Sequence, residues 1–382
     1  MKVGFVLDTS FDPNDGVQQY VMSVGEWLRA EGHDVHYLVG ETHERDLPNI
    51  HSLCKNITVK FNGNKTTIPV WANRKKLRAF LNEQQFDVLH VQTPHHPFMA
   101  QFVVLEKTPQ TVVVGSFHIL PCNTVARVAN KLLGYILRPS LKRFDAMLAV
   151  SSTAKEFEEW SFHVPATVSP DVFDYDRFTY AKAFNKYRDG KLNILFLGRL
   201  VERKGCKYLL EAVAQLDRTQ LPDLRVIVCG KGALQAELEK FVSEQGLQDI
   251  VEFTGFVTEE DKPRYYASAD ISVFPSVSGE SFGIVLLEAM ASGNAAVLAG
   301  DNPGYATVME PKQELLFNPK DITKLTELLT EYITDASKRQ AIASWGKTYT
   351  QKFDVKVVGP QVVGVYEAAI SAHKEKDATI KL

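Results

Sequence analysis

The sequence predicts an α/β protein of two Rossmann-like, doubly wound domains, and three observations carry that expectation. Its 382 residues exceed what a single hydrophobic core usually holds. Short runs rich in Val, Ile, Leu and Phe recur with amphipathic stretches between them, the alternation of strand and helix that builds parallel sheets. The pattern breaks at a polar stretch without clear period, DYDRFTYAKAFNKYRDGK, and then restarts.

The first series is VGFVLD at 3–8, VHYLVG at 35–40, VLHVQ at 88–92, TVVVGSF at 111–117 and AMLAVS at 146–151. Between the first two strands Val17, Val21, Val24 and Leu28 fall on one helical face. The second series is NILFLG at 193–198, LRVIVCG at 224–230, VEFTG at 251–255, ISVFPS at 271–276 and AAVLAG at 295–300, spaced by helical segments such as LQAELEKFVSEQ. The expected bounds are 1–173 for an N-terminal domain and 190–355 for a C-terminal domain. Residues 356–382 should form a helix packing back on the N-terminal domain. Doubly wound sheets bind ligands beyond the carboxyl ends of their strands, so a central cleft faced by both domains is the expected site.

Apolar residues make up 45% and charged residues 23%, the composition of a soluble globular chain. A net charge of -3 argues against a nucleic-acid binder that works by phosphate neutralisation. Cys54, Cys122, Cys206 and Cys229 are scattered without a C-x-x-C pair, which signals neither a disulfide framework nor a zinc site and fits a reducing cytoplasm. The N-terminus enters KVGFVLD, which reads as a strand and not as a signal-peptide core. No apolar run approaches the roughly 18 residues of a membrane span, so membrane contact is expected to be peripheral.

Two loops carry the candidate chemistry. In FLGRLVERKG, residues 196–205, a strand ends in Gly198 and delivers Arg199 and Lys204 to a loop leading into the helix CKYLLEAVAQL. Two fixed cations at a helix N-terminus suit a diphosphate, with a solvated basic loop as the plain alternative. GESFGIVLLEAM, residues 279–290, follows the strand end FPSVS, so 279–283 should be a loop and 284–290 the first turns of a helix. Glu288 then lies among Val285, Leu287 and Ala289, where a buried carboxylate needs donors. A ribose cis-diol supplies two; a neighbouring lysine is the alternative. Glu280 is expected to stand free in the loop, able to meet a sugar hydroxyl or a developing cation. A glycosidase pair is the competing reading, but hydrolases need no diphosphate clamp. A dehydrogenase is disfavoured because no G-x-G-x-x-G follows the first strand.

G-R-L-x-x-x-K-G together with G-E-S-F-G-I-V-L-x-E-A-M resembles the nucleotide-sugar site of retaining glycosyltransferase family 4, with its two-domain GT-B architecture. SFDPNDGVQQYV, VLHVQTPHHP and the SFH of 116–118 resemble in particular its phosphatidylinositol mannosyltransferase branch, and the likeness covers nearly the whole chain. The resemblance implies that Arg199 and Lys204 bind the donor diphosphate, Glu288 the nucleotide ribose and Glu280 the donor sugar. Ser281, Phe282, Gly283 and Ile284 would line the same pocket. Gly16 matches a glycine that lets backbone approach the diphosphate, although the family often has two glycines where this chain has Asp15 and Gly16. His118 would orient the sugar or acceptor and, with Glu280, Arg199 and Lys204, make up the catalytic set. Val257, Glu259 and Lys262 occupy the segment that meets the base and adds a cation to the phosphate. No cofactor or metal is implied as essential, so DYD at 174–176, in the polar linker, is not read as a metal site. TVSPDVF stands where many relatives have a Pro-Asn-Gly-Val-Asp turn.

On the acceptor side, Arg74, Lys75, Lys76 and Arg78 accompany Trp71, Leu77, Phe80 and Leu81 on a basic amphipathic helix suited to an anionic membrane surface. A second basic, apolar stretch spans 125–144. The resemblance implies transfer of mannose from GDP-mannose to phosphatidylinositol by a peripheral enzyme at the inner face of the cell membrane. In the family's usual mechanism the leaving diphosphate helps deprotonate the acceptor. Ile119, Leu120, Pro121, Cys122 and Asn123 replace the hydroxyl and cationic side chains of relatives, which keeps UDP-glucose-dependent transfer to diacylglycerol, or a soluble acceptor, as alternatives. A non-catalytic nucleotide-sugar-binding module is the alternative of a different class.

Overall fold

The computed structural model describes residues 1–12, 15–43, 47–61, 64–70, 72–121 and 124–380, so Trp71, Cys122 and Asn123 lie outside the described residues. The chain divides into two units, Met1–Val172 with Val355–Leu382, and Phe173–Asp354.

The first unit is built on an eight-stranded sheet. Its strands are β1 (Lys2–Val6), β2 (Asp34–Gly40), β3 (Ile50–Phe61), β4 (Asn64–Val70), β5 (Val88–Gln92), β6 (Val112–Phe117), β7 (Ala146–Ala149) and β8 (Thr167–Val168), in the order β4-β3-β2-β1-β5-β6-β7-β8. All neighbours run parallel except the β3–β4 pair. Side chains alternate across the sheet, so both faces need cover. Val3, Phe5, Val112 and Val114 face one core, shared with helix α1 (Gly16–Ala30) and with Val358, Val362 and Tyr366 of the last helix, Val355–Ile380. Val6, Leu89, Val91 and Val113 face the other, covered by Leu77 and Leu81 of α2 (Arg74–Gln84) and by Met99, Val103 and Val104 of α3 (Met99–Glu106). His90 lies between Tyr366 OH at 2.6 Å and Ser116 Oγ at 2.7 Å; burial lowers its pKa to about 3, so it bonds as a neutral ring. Between β6 and β7 runs α4 (Thr124–Ile136).

The second unit has six parallel strands, β9 (Leu192–Leu197), β10 (Leu224–Cys229), β11 (Val251–Gly255), β12 (Ile271–Phe274), β13 (Ala296–Gly300) and β14 (Leu316–Phe317), in the order β11-β10-β9-β12-β13-β14. The strand order reverses between β9 and β12, the position at which such sheets take their ligands.

Three expectations change. The β3–β4 hairpin and the two-residue strands β8 and β14 are additions. The stretch after 173 opens with a short helix, Tyr175–Thr179, capped by Asp174, whose carboxylate accepts the Arg177 backbone N–H at 3.1 Å. The DYD sequence is thus a helix start within the second unit and not part of a loose linker.

Candidate functional site

At the carboxyl end of β9 the chain makes a tight passage. Glu202–Lys204 form a 3-10 turn, and Gly205, at φ +71°, starts the helix Cys206–Ala214. A side chain at Gly205 would come within 2.0 Å of the Pro275 carbonyl oxygen, so only glycine lets this turn lie against the loop that leaves β12. That contact aligns the two loops. Lys204 Nζ donates to Glu280 Oε1 at 2.8 Å, Arg203 Nη1 to the same oxygen at 2.9 Å, and Ser276 Oγ at 2.7 Å. Burial alone would raise the pKa of Glu280, but Lys204 and Arg203 more than offset it and hold the carboxyl below the usual range.

Glu280 is therefore not the free loop carboxylate expected: a carboxylate withdrawn from water keeps its charge by collecting donors. Arg203, which sequence reasoning passed over, is its second cation. Arg199 sits half-buried on the same loop after β9. The ring of Phe282 points inward. It is buried, with its ring 5.6 Å from that of Phe353, and belongs to the core. Ser281 and Ile284 are half-buried and Gly283 is the N-cap of the helix Ile284–Ala291.

On the second turn of that helix Glu288 is fully buried and receives Lys262 Nζ at 2.6 Å and Tyr266 OH at 3.2 Å. Burial pushes its pKa above the usual value and Lys262 opposes the shift. The lysine alternative for Glu288 is the contact seen. Lys262 is shared with Glu259 at 2.9 Å, and Glu259 meets Arg177 at 3.2 Å. Val257 is half-buried ahead of this chain of charges.

In the first unit, His118 follows β6 and is buried. Its Nε2 is 2.7 Å from Gln92 Oε1 at the end of β5, its Nδ1 is 3.2 Å from Asp171 Oδ1, and the Tyr20 ring crosses it edge-on at 5.0 Å. The ring is thus fixed from three sides. Next to Gln92, Thr93 holds φ at +56°, a strained conformation for a β-branched residue. Asp8, beyond β1, accepts the Ala100 backbone N–H at 2.7 Å, and burial pushes its pKa up to about 7. Gly16 is the first residue of α1, and a side chain there would meet nothing within 4 Å. Asp171, Thr93 and Asp8 were not singled out in the sequence, although Thr93 lies within VLHVQTPHHP and Asp171 within TVSPDVF; all three are distant from His118 along the chain.

The four α2 cations divide. All four are exposed, but Arg74 Nε and Arg78 Nε donate to Glu106 at 2.8 and 2.6 Å. Among the described residues no helix is long and apolar enough to cross a membrane, and no group of three or more His, Cys, Asp or Glu is placed to hold a metal ion.

Two doubly wound units, the second with a cation-rich loop pair at its switch point, define a glycosyltransferase of the GT-B class. Residues 14–176 match the family model described as Glycosyltransferase Family 4, and residues 178–349 match that of Glycosyl transferases group 1. A phosphatidyl-myo-inositol mannosyltransferase of Mycolicibacterium smegmatis is 30% identical over 377 residues, 97% of this chain and 95% of the relative. A GDP-mannose-dependent monoacylated alpha-(1-6)-phosphatidylinositol monomannoside mannosyltransferase of Corynebacterium glutamicum is 28% identical over 62% of each chain. The solved structure of Anabaena HepE with UDP-glucose superposes with a TM-score of 0.74 at 19% identity, covering 96% of this chain and all of that one. The chain belongs to glycosyltransferase family 4.

Proposed function

We propose that this enzyme transfers mannose from GDP-mannose to a phosphatidylinositol-type lipid at a membrane surface, with retention at the anomeric carbon and without a required metal. The observation that carries the reading is the cluster at the switch point of the second sheet. Lys204 and Arg203 converge on Glu280 with Arg199 on the same loop, in a chain 30% identical to a named phosphatidyl-myo-inositol mannosyltransferase. GDP as the nucleotide rests on the name of the Corynebacterium relative. An apolar cavity of about 390 Å³ beside α2, lined by Val70, Phe98, Met99 and Phe102, favours an acceptor with an apolar part.

In the proposed step the bond from C1 of the sugar to the diphosphate breaks, and its electron pair leaves with the diphosphate. The acceptor oxygen bonds C1 on the same face, and its proton passes to a departing phosphate oxygen. Arg199 and Lys204 meet the growing charge, the main protein contribution. When the diphosphate arrives, Lys204 turns from Glu280 to phosphate, while Glu280 keeps Arg203 and Ser276 and offers its second oxygen to the sugar. Glu288 takes the ribose, with Lys262 turned toward phosphate and Val257 and Glu259 toward the base. Ser281, Gly283 and Ile284 border the same ligand. His118, fixed by Gln92 and Asp171, orients sugar or acceptor hydroxyls. Gly16 leaves backbone open to a close approach from outside, since no protein atom fills the place a side chain would take.

The test is release of GDP or UDP from a panel of donor sugars, with phosphatidylinositol or diacylglycerol vesicles. GDP release from GDP-mannose, stimulated by phosphatidylinositol, is the expected result. UDP release from UDP-glucose with diacylglycerol would replace this reading by the glucosyltransferase alternative.

A further inference from the structure

Surface helices normally turn their apolar stripe inward, and α4 does the reverse. Val125, Val128, Leu132, Tyr135 and Ile136, spaced by three, four, three and one, occupy one side of the helix. Val125 is 79% exposed, Leu132 61% and Ile136 71%. The opposite side is fixed against the protein. A side chain at Gly134 would come within 2.3 Å of the Ser161 carbonyl oxygen, so the glycine lets α4 press on the helix Ser152–Phe162. Arg127 and Lys131 lie over the Trp160 ring at 4.7 and 4.4 Å, locking the rotation. The apolar stripe thus faces away from its own unit as the packed position of the helix, and a contiguous apolar patch on a surface calls for a partner.

Charge selects the partner. From Ile119 to Phe144 the chain holds Arg127, Lys131, Arg138, Lys142 and Arg143 and no Asp or Glu. Arg138 and Lys142 are exposed just past the stripe. Two copies meeting through this face would bring cations against cations, which disfavours self-association. An apolar stripe with Arg138 and Lys142 exposed at its end, on a segment that itself holds no acid, matches the interfacial zone of a bilayer with anionic headgroups.

We propose that the outward face of α4 seats the enzyme on an anionic lipid bilayer, and that α4, more than the basic helix α2, is the insertion element. The role serves the lipid-acceptor reading above and rests on it for its purpose, but its geometry and its test do not depend on the sugar or the acceptor.

The test is flotation of the full chain with phosphatidylcholine vesicles, with and without phosphatidylglycerol. The chain should float with the anionic vesicles and roughly ten-fold less with phosphatidylcholine alone. Leu132→Asp with Ile136→Asp should lower binding to anionic vesicles by roughly ten-fold or more, and Lys75→Gln with Lys76→Gln by much less. Circular dichroism and thermal unfolding check the fold, and Val125→Ser with Leu132→Ser is the milder variant if the aspartates disturb it. Wild-type flotation by folded α4 variants overturns the proposal, as does a dimer in light scattering that Leu132→Asp splits without affecting flotation. Normal flotation without sugar transfer would count against the acceptor reading and leave this proposal standing.

Discussion

Glu280 and Glu288 stand eight positions apart, both withdrawn from water and both held by a lysine, yet their acidities move in opposite directions. At Glu280 two cations outweigh burial, with a hydroxyl beside them. At Glu288 a single lysine, itself shared with Glu259, does not. The difference separates a reserve from a pin. The first site can release Lys204 to an incoming anion and still leave Glu280 two partners. The second, unless a ribose takes its place, cannot lose Lys262 without leaving a buried carboxylate to Tyr266 alone.

The largest expected effect tests the reserve. Lys204→Ala should lower turnover by on the order of 10³-fold or more, as loss of charge stabilisation on a leaving group does, while the unfolding midpoint hardly moves. A variant with wild-type turnover would refute the clamp. Lys262→Ala tests the pin and should cost about 3–5 kcal/mol of stability in urea unfolding, the range for stranding one member of a buried pair. A loss as small as that of Lys204→Ala would erase the contrast.

A third effect appears in the pH dependence of stability, with opposite signs at the two sites. The folded pKa of Glu280 lies below its unfolded value, so its contribution is present above the ordinary glutamate range and lost as pH falls through the folded pKa. The folded pKa of Glu288 lies above its unfolded value, so its contribution is present in acid and lost as pH rises through the folded pKa. Glu280→Gln should therefore flatten the acid limb of a plot of unfolding midpoint against pH, and Glu288→Gln the decline on the rising side. The same slope change in both variants would break the comparison. The smallest effect is that of Arg177→Ala. It removes a partly exposed pair with Glu259 and should change stability by roughly 1 kcal/mol or less.

Much of this was legible in the sequence, because buried parallel strands write themselves as apolar runs and each candidate loop follows one. The β3–β4 hairpin was missed because KNITVKF and NKTTIPV mix polar with apolar residues, which hides an edge pair among two-sided core strands. Glu288 was recognised as needing donors, but whether a ligand or Lys262 supplies them depends on how the short helix Lys262–Ala267 packs, which no local pattern encodes. Arg203 was invisible for a different reason. Two successive cations enter the turn, and only the turn's geometry directs both to one carboxylate. On α2 and α4 the sequence recorded two basic amphipathic segments alike. Which charge is taken up by Glu106, and which apolar face is left outside, is decided by neighbours far along the chain.

The last helix carries a consequence for how the molecule is made. Val358, Val362 and Tyr366 complete a core whose strands leave the ribosome long before them, since the whole of Phe173–Asp354 is translated in between. The second unit is contiguous and needs no segment from outside its own stretch of chain. The first has α1 over Val3, Phe5 and Val114 early, but closes this core only with Val358, Val362 and Tyr366. The half that bears the outward apolar stripe thus completes its core only after the whole of the other half has been translated.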